Sequence, residues 1–331
     1  MTDAPAPLDG AGQATVLPKR GALLVYIPTY DRYHHALRQM RSLEPQMDAG
    51  STRLLIRDNC SPDDRYLGLG ALADPTVTTV VRNVANMGGI DNIMRSFVDG
   101  AEYEYMWMLG DDDPVRDDAV AALREAGAFD GSVDLTVLLF HDHNDEVEIR
   151  EMTMRDVVEM LARVHSITKI SNLVWRTDYF LPFVEAGYSY GPFAHCYDAT
   201  LVAAVQHRGR LRCCLMPAAT VFSDDAPSGE SYYPLQYVDS LYGYIWLADL
   251  ITDRQMRRWF VEQWAHSDVA ELAAKRAFSH PHRFWWTAGF LMGESPRLAA
   301  HLMWRSVVRH YVLDRELNWG LRRSVRRLRR R

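Results

Sequence analysis

The chain has 331 residues, 48% of them hydrophobic and 24% charged, which fits a soluble globular protein able to bury a sizeable core. Its formal net charge of −6 argues against a general nucleic-acid binder. Its four cysteines lack metal-type spacing and imply no disulfide framework, so reduced cytosolic thiols are the simplest reading.

Residues 1–20, rich in Pro, Ala, Gly and Asp, lack the apolar stretch of a signal peptide and read as a disordered leader. Ala22 to Ile27 is a buried strand that Pro28-Thr29-Tyr30-Asp31 ends. An amphipathic helix follows with Leu37, Met40 and Leu43. Leu54 to Ile56 is a second strand, closed by Asp58-Asn59-Cys60-Ser61-Pro62-Asp63. Val77 to Val81 is a third, followed by Arg82-Asn83 and Asn86-Met87-Gly88-Gly89. Ile90, Ile93, Met94, Phe97 and Val98 then recur at the spacing of one helical face.

The fourth strand, Met106 to Leu109, runs straight into Gly110-Asp111-Asp112-Asp113-Pro114. An apolar run bounded by turn signals reads as a strand buried on both faces. The acids then fall at its carboxyl end, where open α/β sheets bind ligands. Three adjacent carboxylates repel one another and need a counter-charge, for which a divalent metal is suited. Extended geometry sends Asp111 and Asp113 to one side and Asp112 to the other. The alternation of strands and helices predicts an α/β arrangement with a largely parallel sheet, its strand ends sharing a nucleotide-binding edge.

In the second half, Leu135 to Phe140 is a strand leading into His141-Asp142-His143-Asn144-Asp145, and Ile170 to Arg176 is a short strand with a polar rim. Gly187 to His195, rich in glycine and aromatics, reads as a loop over a site. Asp198 opens a helix with Leu201, Val202 and Val205 that Gly209 closes, and Leu211 to Met216 and Thr220 to Phe222 are further strands. From Tyr232 the pattern turns helical and tryptophan-rich. No apolar run reaches spanning length; Leu235 to Leu250 comes closest and is broken by Asp239 and Asp249.

Five landmarks, in order, resemble those of the family-two glycosyltransferases of GT-A fold. They are Pro28-Thr29-Tyr30, Asp58-Asn59, Asn86-x-Gly88 with Asn92, the aspartate cluster, and Asp198 placed eleven residues before Gly209. The likeness covers residues 21 to 223, and Gly110 to Asp113 with Ile170 to Val174 looks closest to the abequosyltransferase-like branch, which adds unusual sugars to bacterial glycans. It implies a GT-A catalytic domain over 21–230, with a Rossmann-like, mostly parallel sheet, and a helical C-terminal appendage over 231–331.

It also implies a nucleoside-diphosphate sugar donor and Mn²⁺ or Mg²⁺. By position, Pro28, Thr29, Tyr30 and Asp58 hold the base and ribose, while Asn86, Gly88 and Asn92 line the cleft. The aspartates hold the metal against the diphosphate: Asp113 first, then Asp111, with Asp112 in the donor site. Asp198 is the general base that takes a proton from an acceptor hydroxyl for inverting attack, although the abequosyltransferase likeness leaves retention open. Two departures stand out. Many members carry an aspartate where Gly110 stands, and often a histidine where Ser223-Asp224-Asp225 follows Thr220 to Phe222.

Trp175, Arg176, Tyr190 and His195 are candidates for the acceptor border; Tyr188, Tyr190 and Phe193 suit either a sugar face or core packing. His141 and His143 lack a third placed ligand and read as a solvated loop. Leu321 to Arg331 holds seven arginines and no acid, with Leu321, Val325 and Leu328 as an apolar strip. That tail suits a solvated end, a partner subunit, or anionic lipid at the inner face of a membrane, the protein itself being expected in the cytoplasm. The expected acceptor is a bacterial glycan, glycolipid or natural product. The rivals are a sugar nucleotidyltransferase, which should carry a glycine-rich basic loop where Pro28-Thr29-Tyr30 stands, and a non-catalytic adaptor of the same fold.

Overall fold

The computed structural model describes residues 19–139, 146–163, 170–190, 196–217 and 247–265. Eight strands form one sheet: β1 (Gly21–Thr29), β2 (Thr52–Asp58), β3 (Thr78–Arg82), β4 (Tyr103–Met108), β5 (Leu135–Leu139), β6 (Glu148–Met152), β7 (Leu173–Arg176) and β8 (Leu211–Pro217). Their spatial order is β3-β2-β1-β4-β7-β5-β8-β6. β1 pairs in parallel with β2 and β4, β2 with β3, and β5 with β8. β7 runs against both β4 and β5, and β6 runs against β8. The sheet is thus mostly parallel, with one reversed strand at its centre and one at its edge.

Along β1, Leu23, Val25 and Ile27 pack on one face of the sheet and Leu24 and Tyr26 on the other, and β4 divides in the same way. That double burial is why both strands are continuous apolar runs rather than alternating ones. Helices α1 (Tyr33–Leu43), α2 (Arg65–Leu72) and α4 (Ala119–Glu125) cover the first face. The second is covered by α3 (Gly89–Asp99), α5 (Met154–Arg163), α6 (Thr177–Phe180), α7 (Val184–Tyr190), α8 (Cys196–Arg208) and α9 (Arg254–Ala265). Leu247, Ala248, Ile251, Phe260 and Val261 share that core with α5 and α8. No helix among the described residues is long and apolar enough to cross a membrane.

Several expectations change. Residues 187–190 of the expected loop belong to helix α7. Trp175 is fully buried, with Phe97 and Phe180 edge-on to its ring at 5.4 and 4.7 Å, so it packs the core and borders no acceptor surface. Arg176 pairs with Tyr105 in the β4–β7 register, at the edge of the sheet opposite the aspartates. There it forms ion pairs with Asp134 and Asp178, which removes it from the acceptor border too. Val98 leaves the buried face of α3 and is 45% exposed. The leader up to residue 18, His141, His143, Phe193, His195, Thr220 to Phe222, Ser223-Asp224-Asp225 and the arginine tail lie outside the described residues, as does the side chain of Tyr190.

Candidate active site

β1, β2 and β4 end side by side, so the loops after them share one edge. Thr29, the last residue of β1, donates from Oγ1 to Asp111 Oδ2 at 2.7 Å. Its hydroxyl also lies 2.9 Å from that of Tyr66, which accepts from the Arg32 backbone N–H at 3.0 Å. Arg32 Nη1 then reaches Asp111 Oδ1 at 3.0 Å and Asp112 Oδ2 at 2.9 Å. Two carboxylates of the cluster therefore converge on a single guanidinium. Burial pushes the Asp111 carboxyl above the usual carboxylate range, against the hydrogen bond from Thr29 and the charge of Arg32.

Asp113 turns the other way. Its Oδ2 accepts from Ser171 Oγ, and Ser171 Oγ in turn accepts the Gly110 N–H at 2.8 Å. Gln39 of α1 donates to the Gly110 carbonyl at 3.0 Å and to the Asp113 carbonyl. The turn is thus clamped from both faces of the sheet. A Cβ at position 110 would stand 2.9 Å from Asp113 Oδ2 and 3.3 Å from Ser171 Oγ, so an aspartate there would require this clamp to shift. The departure at Gly110 and the serine of Ile170 to Val174 are one packing solution.

Asp58 is also buried and shapes its own loop. Its Oδ1 accepts from the Ser61 N–H at 3.0 Å and from the Ser61 hydroxyl, while Arg82 Nη1 lies 3.3 Å from Oδ2. Asp31 (φ 54°) and Cys60 (φ 61°) are the non-glycine residues with left-handed backbone among the described residues, and both sit on these loops. Such conformations cost about 1–2 kcal/mol each and persist where the surroundings demand them. Pro28 is half-buried within β1, and Tyr30 is exposed on the rim.

A carboxamide network carries this edge to α3. Asn59 donates to Asn86 Oδ1 at 2.8 Å and to the Gly88 carbonyl at 3.1 Å. Asn83 donates to Asn59 and to Asn92, both at 3.0 Å, and accepts from Arg57 Nη1 at 2.8 Å. Asn92 is buried within this network, and the exposed Asn86 accepts the Gly88 N–H at 2.8 Å, so both help to hold the loop. Gly88 (φ 88°) is the residue before α3, and its carbonyl accepts from Asn59, so the first turn of that helix opens on the same edge. Asp198 is fully buried in the first turn of α8, a helix that packs against α7 and α3. Burial, and after it the charge of Asp198, pushes the Cys196 thiol up to about 12.

Against solved structures, this chain is similar to S. aureus TarS residues 1–349, with a TM-score of 0.56 and 12% identity over 90% of this chain and 91% of that one. The same protein in complex with UDP-GlcNAc matches with a TM-score of 0.52 and 13% identity, covering 90% of this chain and 92% of that one. The fold is GT-A. A longer TarS structure matches 87% of this chain, which spans 54% of it, at a TM-score of 0.53 and 13% identity. Comparison with family models, and with curated proteins, finds no match.

Thr29, Asp58, Asp111, Asp112 and Asp113 thus meet at one GT-A edge, with Asn86, Gly88 and Asn92 as its frame. Arg32, Gln39, Asn83 and Ser171 belong to the site as well, and none was a candidate from the sequence. Ser171 stood in the segment that carried part of the likeness, whereas the signal of the other three is position, near a strand end or facing one from a helix.

Proposed function

We propose that the chain is a glycosyltransferase that moves a sugar from a nucleoside-diphosphate sugar to an acceptor hydroxyl of a bacterial glycan, glycolipid or natural product. The observation that carries this reading is the convergence of Asp111 and Asp112 on one cation, Arg32, at the sheet edge to which Asn59 also ties the start of α3. Paired acids that can hold a divalent cation suit a metal-bound diphosphate, and TarS of the same fold has been solved with UDP-GlcNAc.

The donor set suits Mn²⁺ or Mg²⁺: Asp111 and Asp112 offer hard oxygens, and the buried Asp111 carboxyl gains from a neighbouring cation. Among the described residues no three His, Cys, Asp or Glu side chains gather as a metal cluster; Asp111 and Asp112, which already share one cation, would hold such an ion, with Asp113 Oδ2 tied to Ser171. When bound, the ion neutralises charge growing on the leaving diphosphate. Arg32 supplies fixed positive charge at the same acids, and Thr29 and Tyr66 keep Asp111 aimed at it. Asp58 and the loop it folds receive the base and ribose, with Tyr30 free on the rim to stack. Asp198, at the start of α8, is the residue proposed to take the proton of the acceptor hydroxyl for inversion, a role that requires the acceptor to reach a carboxyl that is buried in this structure.

Thermal unfolding with UDP, dTDP, GDP and CDP, each with and without Mn²⁺, tests the donor site in wild type and in Asp112→Ala. Asp112 is at the surface, so its loss spares the fold. Saturation at 100 times the dissociation constant stabilises the folded chain by ~2.7 kcal/mol. A shift with one nucleotide that weakens in the variant is the expected result. No shift with any of the four overturns the donor site, and binding without turnover on any acceptor favours the adaptor.

A further inference from the structure

At the edge of the sheet opposite the aspartates there is a second cleft of about 780 Å³, a volume within the usual range of small-molecule sites. It opens where β7 ends and β8 begins, under the last turn of α8. Its lining includes Arg176, Arg208, Arg210 and Arg212. The acids present are Asp134, Glu151 and Asp178. These charges are not matched in pairs. Arg176 takes both Asp134, at 3.6 Å, and Asp178, at 2.9 Å. Among the described residues Arg208, Arg210 and Arg212 form no ion pair, although Glu151 sits directly across the β6–β8 ladder from Arg212.

Three exposed guanidinium groups are thus left over on one concave surface. They are also held in place. Arg208 lies over the Tyr179 ring at 4.6 Å and over Phe183 at 5.7 Å, which fixes one guanidinium plane against an aromatic floor. Arg210, just before β8, and Arg212, its second residue, stand on either side of the buried Leu211 and are both exposed. Tyr179 ties its hydroxyl to the Arg210 carbonyl, and the Arg212 N–H donates to Asp134 Oδ2 at 2.9 Å, so the backbone carrying them is anchored. A helix C-terminus favours one or two cations in its last turn, which accounts for His207 and Arg208. It does not account for Arg210 and Arg212, which lie beyond Gly209 on the next strand.

We propose that this cleft binds a phosphate-bearing small anion, gripped by Arg208, Arg210 and Arg212 and floored by Tyr179 and Phe183. Guanidinium forks match phosphate oxygens in pairs, and three of them on a curved surface suit a multiply charged ligand over a single carboxylate. The site is independent of the donor edge and of its proposed function.

Inorganic pyrophosphate, titrated calorimetrically into the full chain, tests it. The comparison is between wild type, Arg210→Ala/Arg212→Ala, and Arg254→Ala/Arg258→Ala, a pair on α9 that removes the same charge elsewhere. All substituted arginines are exposed, and thermal melts of the three proteins verify that each is folded. The expected result is one binding event weakened about tenfold or more in the cleft variant alone. Pyrophosphate bound at the donor edge would remain in all three proteins, so the two sites are counted separately. Identical isotherms overturn the proposal. Equal weakening in both variants also overturns it, since that is the signature of a diffuse positive field.

Discussion

Arg32→Ala removes the guanidinium that Asp111 and Asp112 share, and its cost depends on pH. Truncating one partner of a fully buried ion pair costs about 3–5 kcal/mol, and an exposed pair about 0–1 kcal/mol. Here the Arg32 side chain is 37% exposed and that of Asp111 6%, so the discounted cost is about 1–2 kcal/mol near neutral pH. The Asp111 carboxyl is raised in the folded chain, so between the unfolded and folded values the native state binds more protons. The stability this group provides is full below the unfolded value of about 3.9 and is lost as pH rises through the folded one. Removing Arg32 lifts that folded value further. The gap between variant and wild type is therefore widest at pH values above the raised folded value and narrows as pH falls through it, as Asp111 takes up its proton. Urea unfolding of both proteins across that range measures it, and millimolar Mn²⁺ should narrow the gap at neutral pH by replacing the lost charge. A gap that stays constant with pH would refute the coupling of Arg32 to Asp111.

Two glycine substitutions separate crowding from backbone strain. In Gly187→Ala the new Cβ meets Met94 Cε, Thr200 Oγ1 at 2.5 Å and the Cys196 carbonyl at 2.7 Å, so chemical unfolding should show a loss of about 1–3 kcal/mol. Gly88→Ala meets nothing within 4 Å, but its φ of 88° should still cost about 1–2 kcal/mol, with faster amide exchange at the start of α3. Asn83→Ala removes the donor to Asn59 and Asn92 and the acceptor of Arg57; about 1–3 kcal/mol is expected, with exchange rising over residues 86–92 in particular. Cys60 is partly exposed while Cys196, Cys213 and Cys214 are buried, and burial pushes the Cys214 thiol up to about 11. A thiol reagent should accordingly titrate one fast group in the native chain and four after unfolding.

The parallel half of the sheet was legible because double burial writes itself as unbroken apolar runs: Ala22 to Ile27 is the core of β1, and Met106 to Leu109 covers the end of β4 and the residue after it. The helix opened by Asp198 and closed by Gly209 was equally clear, since Gly209 takes φ 80° just after Arg208. β6 was missed because Glu148-Ile149-Arg150-Glu151 is exposed along its length and pairs only with β8. α2 carries two glycines within eight residues, which hides its helical pattern. The polarity of β7 was not readable, because four residues reveal burial and not direction. In the site, the acids were visible as a run, whereas Arg32 reaches them across 79 positions, a contact that only the β1–β4 pairing creates. Trp175 and Arg176 misled for a physical reason: a tryptophan beside an arginine looks like a binding edge until the strand direction shows one buried and the other at the far end.

The place of β7 bears on how the chain is made. β4 is among the most apolar strands, and its free side is filled only when residues 173–176 arrive, after β5 and β6 have been synthesised. At ribosomal speeds of about 5–20 residues per second, that side stays open for several seconds. During that interval β5 is the nearest apolar strand in sequence, and a direct β4–β5 pairing would complete a plausible but wrong sheet. The Ser171 clamp on Asp113 therefore also records which pairing won: the acid turn is locked only after the reversed strand has docked. A nascent chain stopped before residue 170 should hence be an aggregation-prone half-sheet, with its aspartates assembled in sequence but not in space.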